Sequence, residues 1–359
     1  MNARQFTMPA DPARAASPVA PCRYGVDVLT HADTPARPAA RAARTRAWLC
    51  WLAVAPGVVW AAVRLPGLER GPAVQAVAFT PYVAAWTPVP LLLALALRRR
   101  WPAAVAALVA AALIAVVVPR AVPSAQPPAG GPTLRVLTAN LLAGAADAGT
   151  VVGLVRDLRV DVLAVQEFTP GAAAELDRLG LAALLPHRQL NPQVGTVGSG
   201  LYARFPIAGG GIRQHRGGWG FTQAYGTITP PGGPPVRVES VHPSAPYALD
   251  QVGFWRADLA AQPPATPDAG LSILAGDFNA TLDHAPLRDL LATGYVDAAD
   301  ATGAGLVGTW GPYDGDPIPP VTIDHVLADR RIAVRSVSVR AVPGSDHRAV
   351  LAELRLPAA

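Results

Sequence analysis

The chain has 359 residues, which is enough for more than one domain, and 51% of them are hydrophobic. Its net charge of +5 is unevenly divided, because residues 1–132 carry 13 Arg and four acidic residues whereas residues 133–359 carry 17 Arg and 21 acidic residues. The second part, with a net charge of −4 and no Cys, lacks the basic character of nucleic-acid-binding domains, and a disulfide framework or thiolate metal site is excluded there.

The N-terminal third of the chain divides into a tail and an apolar region. Residues 1–45 are rich in Ala, Pro and Arg without a sustained apolar period, which predicts a disordered cytoplasmic tail. Residues 46–120 predict a membrane domain, because they contain three apolar segments, each close to the roughly 20 residues that a helix needs to cross a bilayer. These predicted transmembrane helices are residues 46–63, 73–97 and 101–118.

Residues at the ends of these segments predict how they lie in a membrane. Trp48 and Trp101 suit the bilayer interface, and three prolines in the second segment are expected to kink it. Arg residues cluster before the first segment and again at residues 98–100. Because positive charge accumulates on the cytoplasmic side, we expect a cytoplasmic N-terminus and an extracytoplasmic chain after residue 118. This predicts a multi-pass protein of the cytoplasmic membrane.

A linker joins the apolar region to the rest of the chain. Residues 121–132 are rich in Pro and Gly, which predicts an extended, semi-rigid connection. Because such a linker makes few contacts, we expect residues from about Gly130 onward to fold independently. Residues 133–359 alternate short Val-, Leu- and Ile-rich runs with turns, and helical stretches are expected at residues 145–158 and 171–179. This pattern predicts an α/β catalytic domain.

Four short polar motifs each follow a largely apolar, strand-like run in this domain. Polar side chains at strand ends are the usual way in which a rigid sheet presents catalytic groups in a cleft. Together the motifs predict a divalent-metal phosphoesterase site. They are residues 166–167 (Gln-Glu), 276–279 (Gly-Asp-Phe-Asn), 323–325 (Ile-Asp-His) and 345–347 (Ser-Asp-His), and the runs before them are residues 160–165, 271–275, 321–323 and 337–342.

The four motifs, together with further short sequence segments between them, make the domain resemble the endonuclease/exonuclease/phosphatase family. The resemblance implies an α/β fold of the deoxyribonuclease-I-like type, a four-layer β-sandwich flanked by helices, here preceded by three transmembrane helices. One piece departs from the family pattern, because Ala203 replaces the usual small hydroxyl residue. The matching pieces are residues 137–140, 165–167, 202–206, 242, 276–281, 309–310, 323–325 and 345–347.

Hydrolysis of a phosphoester needs neutralised phosphoryl oxygens, an aligned water and help for the leaving oxygen. Hard oxygen ligands favour Mg²⁺ as the cofactor, with Mn²⁺ as the alternative. Glu167 is the best candidate metal ligand, and the series of motifs adds Asn140 and Asp346, in direct contact with the metal or behind its ligands.

Asp277 and Asn279 flank Phe278, so in an extended chain both polar side chains share one face while Phe278 enters the core. Asp277 in this place can orient or deprotonate water, and Asn279 can donate to phosphoryl oxygens. The resemblance implies further roles for His347 as a catalytic acid, base or phosphate ligand, and for Asp324 as the carboxylate that orients it.

The remaining histidines receive different interpretations. The resemblance implies that His242 donates to a non-bridging phosphoryl oxygen, and His325 is interpreted as structural. The group that takes the proton of water is left open between Asp277 and His347. Three histidines lie outside the motifs and are predicted to be surface residues, namely His187, His215 and His284.

The predicted function is a membrane-anchored, Mg²⁺-dependent phosphoesterase that hydrolyses a phosphodiester or phosphomonoester outside the cytoplasmic membrane. A lipid headgroup, a small phosphoester and nucleic acid all stay open as substrates, although the charge of −4 does not favour nucleic acid. The Gly-rich residues 209–220, with Arg213, Arg216 and Trp219, predict either a phosphate- or base-binding loop or a flexible hairpin. The alternative function is a catalytically inactive membrane scaffold or sensor, which the complete set of site residues argues against.

Overall fold

The computed structural model describes residues 36–311 and 317–358. Most of the predicted tail, residues 1–35, therefore lies outside the described residues, as do residues 312–316. The last residues of the predicted tail begin the first helix. The N-terminal helices are α1 (Ala36–Arg64), α2 (Pro72–Val77), α3 (Thr80–Trp86), α4 (Pro88–Ala96) and α5 (Arg100–Val117), followed by a short 3₁₀ helix (Val118–Ala121).

The prediction of three transmembrane helices is wrong in its number. Among the described residues, two helices are long and apolar enough to cross a membrane, Arg41–Arg64 and Arg100–Ala121. The second predicted segment is divided into α2, α3 and α4, and its longest apolar helical stretch is Thr80–Ala96. Pro81 and Pro88 stand in the first turns of α3 and α4, where the missing N–H is not needed, so these prolines begin new helices instead of kinking one.

The rest of the described chain forms two six-stranded sheets with flanking helices. The strand order is β11-β12-β1-β2-β4-β3 in the first sheet and β5-β6-β7-β8-β10-β9 in the second. The helices are α6 (Ala148–Asp157), α7 (Pro170–Arg178), α8 (Leu181–Leu184), α9 (Val252–Ala260), α10 (Ala285–Ala292) and α11 (Ala298–Ala301). The strands are β1 (Thr133–Asn140), β2 (Val162–Gln166), β3 (His187–Asn191), β4 (Ser199–Ala203), β5 (Ile207–Gln214), β6 (Thr222–Ile228), β7 (Val236–Val241), β8 (Leu271–Asp277), β9 (Tyr295–Asp297), β10 (Asp324–Asp329), β11 (Ala333–Ala341) and β12 (Arg348–Arg355).

Alternating side chains build the layers of this sandwich. In β1, Leu134 and Val136 belong to the core between the sheets, whereas Leu137 and Ala139 belong to the core under α6 and α7. This period of two is the one that a strand buried on both faces requires. The second sheet is covered in the same way by α9 and α10. The expected α/β sandwich is therefore confirmed, and the two predicted helical stretches correspond to α6 and α7.

Strand directions bring the polar motifs to one edge of the sandwich. β1 runs parallel to β2 and antiparallel to β12, and β7 runs parallel to β8, which is antiparallel to β10. The C-terminal ends of four strands and the N-terminal ends of β10 and β12 thus lie together. One expected strand-like run, residues 321–323, makes only an isolated bridge through Val321, and β10 begins directly after it.

A buried ion cluster joins the N-terminal helices to the sandwich. Arg64, at the end of α1, donates to Asp283 at 2.8 Å, and Arg120, after α5, donates to both Asp283 carboxylate oxygens at 2.7 Å. Burial by itself would raise the pKa of Asp283, but the two guanidinium groups lower it below its ordinary value. Removing one partner of a buried pair typically costs about 3–5 kcal/mol, so this cluster fixes the ends of both helices.

The linker is also attached to the sandwich. The Ser124 N–H donates to the Ala301 carbonyl at 3.0 Å, and Gln126 Oε1 accepts from the Val334 N–H at 2.8 Å. The expectation of a linker with few contacts is therefore wrong. The helices and the linker both pack on the sandwich, because buried polar groups of each find their partners in the other.

Candidate active site

The eight predicted site residues lie together at the edge where the six strand ends meet. Six of them line one cleft of about 580 Å³, while Asn140 and Asp324 lie behind it, hydrogen-bonded to lining residues. All except Asn279 and Asp346 are buried. Their places follow from the strands: Asn140 and Asp277 end β1 and β8, Glu167 and His242 follow β2 and β7, and Asp324 and His347 stand at the starts of β10 and β12.

Asn140 links the two sheets below the cleft. Its side-chain amide donates to Glu167 Oε1 at 3.1 Å and to Asp277 Oδ2 at 3.0 Å. Its own oxygen accepts from the Leu142 N–H at 3.0 Å, and the Ala143 N–H donates to the other Glu167 oxygen at 2.7 Å. Burial raises the pKa of Glu167, although these hydrogen bonds act in the opposite direction. The carboxylate is thus fixed in a poorly solvated place, where a cation would compensate its charge.

Backbone strain is concentrated in the same region. Of the six described non-glycine residues with positive φ, four belong to the site, namely Leu142, Ala143, Glu167 and Asn279. The φ angles of Glu167 and Asn279 are 52° and 48°, in the left-handed region that residues with a Cβ rarely adopt. Each such conformation costs on the order of 1–3 kcal/mol and persists where surrounding contacts enforce it. Sequence reasoning missed the role of Leu142 and Ala143, since backbone donors leave no residue-type signal.

His347 is paired with Asp324 across the two sheets. Its Nδ1 lies 3.1 and 3.0 Å from the two Asp324 oxygens, which leaves Nε2 facing Asp277 and Asp346 at 3.7 and 3.8 Å. Burial by itself would lower the pKa of His347, but the charges of Asp324 and Asp277 outweigh it and raise the pKa to about 10. The ring is therefore an imidazolium at neutral pH. Thr309 Oγ1 accepts from the Asp324 N–H at 3.0 Å and holds this partner in place.

Asp277 lies between two histidines. Its Oδ2 is 3.7 Å from His242 Nε2 and 3.7 Å from His347 Nε2. Burial raises the pKa of Asp277, and the charge of His347 acts against this shift. Burial lowers the pKa of His242 to about 3, so its ring is neutral. Within the described part of the chain, His242 Nδ1 is buried without a hydrogen-bond partner, and the ring packs edge-on against Phe221.

Phe278 enters the core and Asn279 faces the cleft, as the sequence predicts, but the chain is not extended there, because β8 ends at Asp277 and Asn279 has a φ of 48°. Phe278 is fully buried and packs edge-on against His325. The Asn279 N–H donates to Asp277 Oδ1 at 2.8 Å, and its side-chain amide donates to the Pro243 carbonyl at 3.1 Å. Asn279 therefore lines the cleft beside Asp277.

Asp346 is oriented by a residue to which the sequence assigned no role. Trp310 Nε1 donates to Asp346 Oδ2 at 2.9 Å, while Asp346 Oδ1 is buried and has no hydrogen-bond partner among the described residues. Ser345 Oγ donates to the Asn140 carbonyl at 2.9 Å and accepts from the His347 N–H at 3.1 Å. Trp310 and Ser345 both stand inside recognised motifs, and that position was the only signal for their roles.

Two groups of side chains could hold a cation. Asp277, Asp324 and His347 have ligand atoms within 4.8 Å of one another, but Asp324 and His347 are already paired. The three residues predicted as ligands from the sequence offer oxygen atoms, and one of these, Asp346 Oδ1, has no hydrogen-bond partner in the described chain, although His347 Nε2 lies 3.8 Å from it. A donor set of oxygens is what Mg²⁺ and Mn²⁺ take. The predicted ligands thus offer the harder donor atoms, whereas Asp277, Asp324 and His347 are the group whose ligand atoms lie close together.

The structural interpretation of His325 is consistent with its surroundings. It is buried between Asp297, at 2.8 Å, and the Ala280 carbonyl, at 2.9 Å. By contrast, the prediction that His215 and His284 are surface residues is wrong, because they are 5% and 2% exposed. Isolated histidines give no sequence signal of burial, since their partners come from distant elements.

His284 connects the site to the N-terminal helices. Its Nδ1 lies 2.8 Å from the Thr281 N–H, and its Nε2 lies 2.8 Å from the Val74 carbonyl of α2. Burial lowers the pKa of His284. With Nδ1 accepting, Nε2 carries the proton and donates to α2. His187, the third histidine that was predicted to lie on the surface, is half-buried on β3.

Part of the Gly-rich segment is an ordered strand and not a phosphate-binding loop. Arg213 belongs to β5 and pairs with the buried Glu239 at 2.7 Å, so it is not free to bind phosphate. Arg216 is exposed beyond the strand. Trp219 is 65% exposed and lines the cleft, so it is the residue of this segment that a ligand in the cleft would meet.

Comparisons with known proteins agree with this geometry. The model of the endonuclease/exonuclease/phosphatase family matches residues 137–347. The structure of an endonuclease/exonuclease/phosphatase from Beutenbergia cavernae DSM 12333 is similar with a TM-score of 0.50 and 22% identity, over 63% of this chain and 72% of that one. TDP2 from D. rerio, humanised by 14 mutations, is similar with a TM-score of 0.52 and 15% identity, over 62% of this chain and 99% of that one. No curated protein sequence matches the chain.

Proposed function

Because the chain belongs to the endonuclease/exonuclease/phosphatase family, whose members hydrolyse phosphoesters, we propose that it is a Mg²⁺-dependent phosphoesterase anchored in a membrane. The observation that carries the proposal is the convergence of eight polar side chains, from strand ends of both sheets, on one cleft. Hydrogen bonds hold most of them in fixed orientations, as a catalytic site requires.

Glu167, Asn140 and Asp346 are the residues that we propose to hold Mg²⁺, with Mn²⁺ as the alternative. Asp346 Oδ1, which is buried without a hydrogen-bond partner in the described chain, and the desolvated Glu167 carboxylate support this assignment. When bound, the cation neutralises charge on the phosphoryl oxygens and thereby favours the transition state.

The other residues act on the phosphoryl group and on water. The imidazolium of His347, oriented by Asp324, donates from Nε2 to a phosphoryl oxygen, and His242 and Asn279 donate to others. Asp277 takes a proton from water, whose oxygen forms a bond to phosphorus as the ester P–O bond breaks. The departing oxygen finally receives that proton, so atoms and charges balance. The position of Asp277 between both histidines supports its role as the base.

Metal removal tests this function on the full chain in detergent. With bis(p-nitrophenyl) phosphate as substrate, we expect EDTA to abolish hydrolysis and added Mg²⁺ or Mn²⁺ to restore it. Asp277→Asn, prepared identically, is the control for contaminating hydrolases and should be inactive. Hydrolysis that EDTA leaves unchanged contradicts the metal requirement. Absence of hydrolysis with either cation, on this ester and on the lipid and nucleic-acid substrates described below, favours the inactive scaffold.

Exposed apolar side chains support the membrane anchor. The most apolar 18 residues are only 22% buried in the span Arg41–Arg64 and 39% buried in the span Arg100–Ala121. The core helices of a soluble protein are mostly buried. Large apolar residues that would otherwise face water include Trp48, Leu52, Trp101 and Leu108, each more than 60% exposed. A bilayer would solvate these side chains.

We further propose that the sandwich lies outside the cytoplasmic membrane. The C-terminal ends of both candidate spans are joined to the sandwich at Asp283, so both spans end on the side of the sandwich. The Arg cluster at residues 98–100 and those before residue 46 would then lie on the opposite, cytoplasmic side.

Reporter fusions test this orientation. We expect alkaline phosphatase fused to the C-terminus to be active and green fluorescent protein, exported by the general secretion route, to be dark. Fusions truncated after residue 99 are the matched control and should give the opposite pattern, since the Arg cluster at residues 98–100 predicts a cytoplasmic position there. An inactive phosphatase and a fluorescent protein at the C-terminus contradict the orientation.

A further inference from the structure

The N-terminal helices form part of the wall of the catalytic cleft. Gln75 in α2, and Ala78 and Phe79 directly after it, line the same cleft as Glu167 and His347. The substrate-binding surface is thus shared between the family domain and a segment that precedes it by more than 50 residues. A substrate that enters the cleft touches the helical part.

Polar and apolar contacts hold this wall in place. Gln75 Nε2 donates to the Pro246 carbonyl at 2.6 Å, and the Val74 carbonyl accepts from His284. Val74 is fully buried in the core of the second sheet and its helices. The Ala285 N–H donates to the buried Glu69 carboxylate at 2.7 Å, at the start of α10. The wall is therefore a built part of the site.

The same segment continues into the apolar helices. Phe79 directly precedes Thr80–Ala96, and the ends of both candidate spans are fixed to Asp283, beside the cleft residue His284. If the candidate spans cross a bilayer, this wall of the cleft lies next to the ends of the spans. A group at the membrane surface would then lie close to the site.

The character of the cleft fits an amphiphilic substrate. Twelve of its 21 lining residues are apolar or aromatic, while the catalytic residues form its polar end. Trp219, Tyr247 and Ile318 at its rim are 65%, 64% and 49% exposed. Exposed aromatic side chains at such a position suit the interface between water and lipid.

The same cleft offers few cationic groups for binding nucleic acid. Among the described residues that line it, none is an Arg, whereas three are acids, namely Glu167, Asp277 and Asp346. Binding of a polynucleotide depends on several cationic contacts to successive phosphates. A molecule with a single phosphoester at the end of an apolar part needs only one phosphate-binding site.

Resting on the proposed phosphoesterase function, we propose that the substrate is a membrane lipid with a phosphoester headgroup. Its apolar part lies against Phe79 and the rim formed by Trp219, Tyr247 and Ile318, and its phosphoester reaches Glu167 and His347. Hydrolysis adds the oxygen of water to phosphorus and returns a proton to the released alcohol.

The test uses the full chain reconstituted with Mg²⁺ in vesicles of phosphatidylcholine, phosphatidylglycerol and phosphatidylinositol. Four soluble substrates are compared: glycerophosphoglycerol, glycerophosphoinositol, bis(p-nitrophenyl) phosphate and a single-stranded oligodeoxynucleotide. For one of these lipids, we expect kcat/KM to exceed that of its acyl-free headgroup compound by about 100-fold or more, because binding of the remote apolar part accelerates the reaction. Mass spectrometry identifies the released product.

Two substitutions locate the effect at the cleft. We expect Trp219→Ala and Phe79→Ala each to lower the ratio of kcat/KM for vesicle lipid to that for bis(p-nitrophenyl) phosphate by about 10-fold, as lost apolar contacts of this size do. Trp101→Ala is the matched control, since Trp101 is 67% exposed, similar to Trp219, but lies outside the cleft. Because Trp219 is exposed, its variant remains informative even if Phe79→Ala misfolds.

The outcomes separate the two proposals. Hydrolysis of soluble esters without hydrolysis of these lipids, or faster cleavage of the oligodeoxynucleotide, overturns the lipid substrate and leaves the phosphoesterase standing. An unchanged ratio in Trp219→Ala also overturns the assigned lipid site. Absence of hydrolysis of every substrate overturns both proposals.

Discussion

Glu167→Ala is expected to lower kcat/KM for a phosphodiester by more than about 100-fold. Replacing a residue that only positions a metal ligand typically costs about 10–100-fold, and loss of a ligand itself should cost more. The variant loses a carboxylate that the structure holds between the Asn140 amide and the Ala143 N–H. Because the remaining oxygen ligands bind the cation more weakly, raising Mg²⁺ should recover part of the activity. The measurement is kcat/KM across a Mg²⁺ series, with metal affinity read from the midpoint.

Glu175→Ala is a suitable control for this experiment. Glu175 lies on α7, pairs with Arg178 on the surface and is remote from the cleft, so its removal should leave both activity and the Mg²⁺ midpoint unchanged. Activity of Glu167→Ala equal to that of the unsubstituted protein contradicts the assignment of Glu167 as a ligand.

His347→Ala is expected to lower kcat/KM by about 10²–10³-fold, the usual cost of removing one positioned donor to an oxygen that gains charge in the transition state. Unlike Glu167→Ala, this variant should not recover at any Mg²⁺ concentration, because the lost imidazolium acts on the phosphoryl group and not on the metal. Asp324→Asn should cost less, since it leaves the ring present but removes the charge that orients it and keeps it protonated.

The double variant separates a coupled pair from two independent residues. Because Asp324 acts through His347, adding Asp324→Asn to His347→Ala should change kcat/KM little further. His187→Ala is the control, since this histidine is half-buried on β3 outside the cleft. Full additivity of the two substitutions, or recovery of His347→Ala by Mg²⁺, is inconsistent with the proposed roles.

Much of the site could be predicted because its residues stand at the ends of strands. An apolar run with a period of two fixes which side chains face the core, as at Leu134 and Val136, and the polar residue that follows is placed at the sheet edge. The order of the motifs along the chain added the family and its two packed sheets. Both signals are local, or follow from the order of local pieces, and so can be read from the sequence.

Other features depended on contacts between distant parts of the chain. Asp283 meets Arg64 and Arg120, which are 219 and 163 residues away, and His284 meets the Val74 carbonyl. The pattern around Asp283 and His284 resembles that of an ordinary surface turn, so nothing local indicated their burial.

The sequence by itself determined which polar residues meet at one cleft, that they stand at either end of strands, and that the N-terminal region is apolar. Only the tertiary structure decided that the second apolar segment is divided, that the linker packs on the sandwich, and that Phe79 belongs to the wall of the cleft. The physical reason is that periodicity reports whether a side chain faces an apolar surface. It does not report which distant element provides that surface, and here the N-terminal helices provide part of the catalytic cleft.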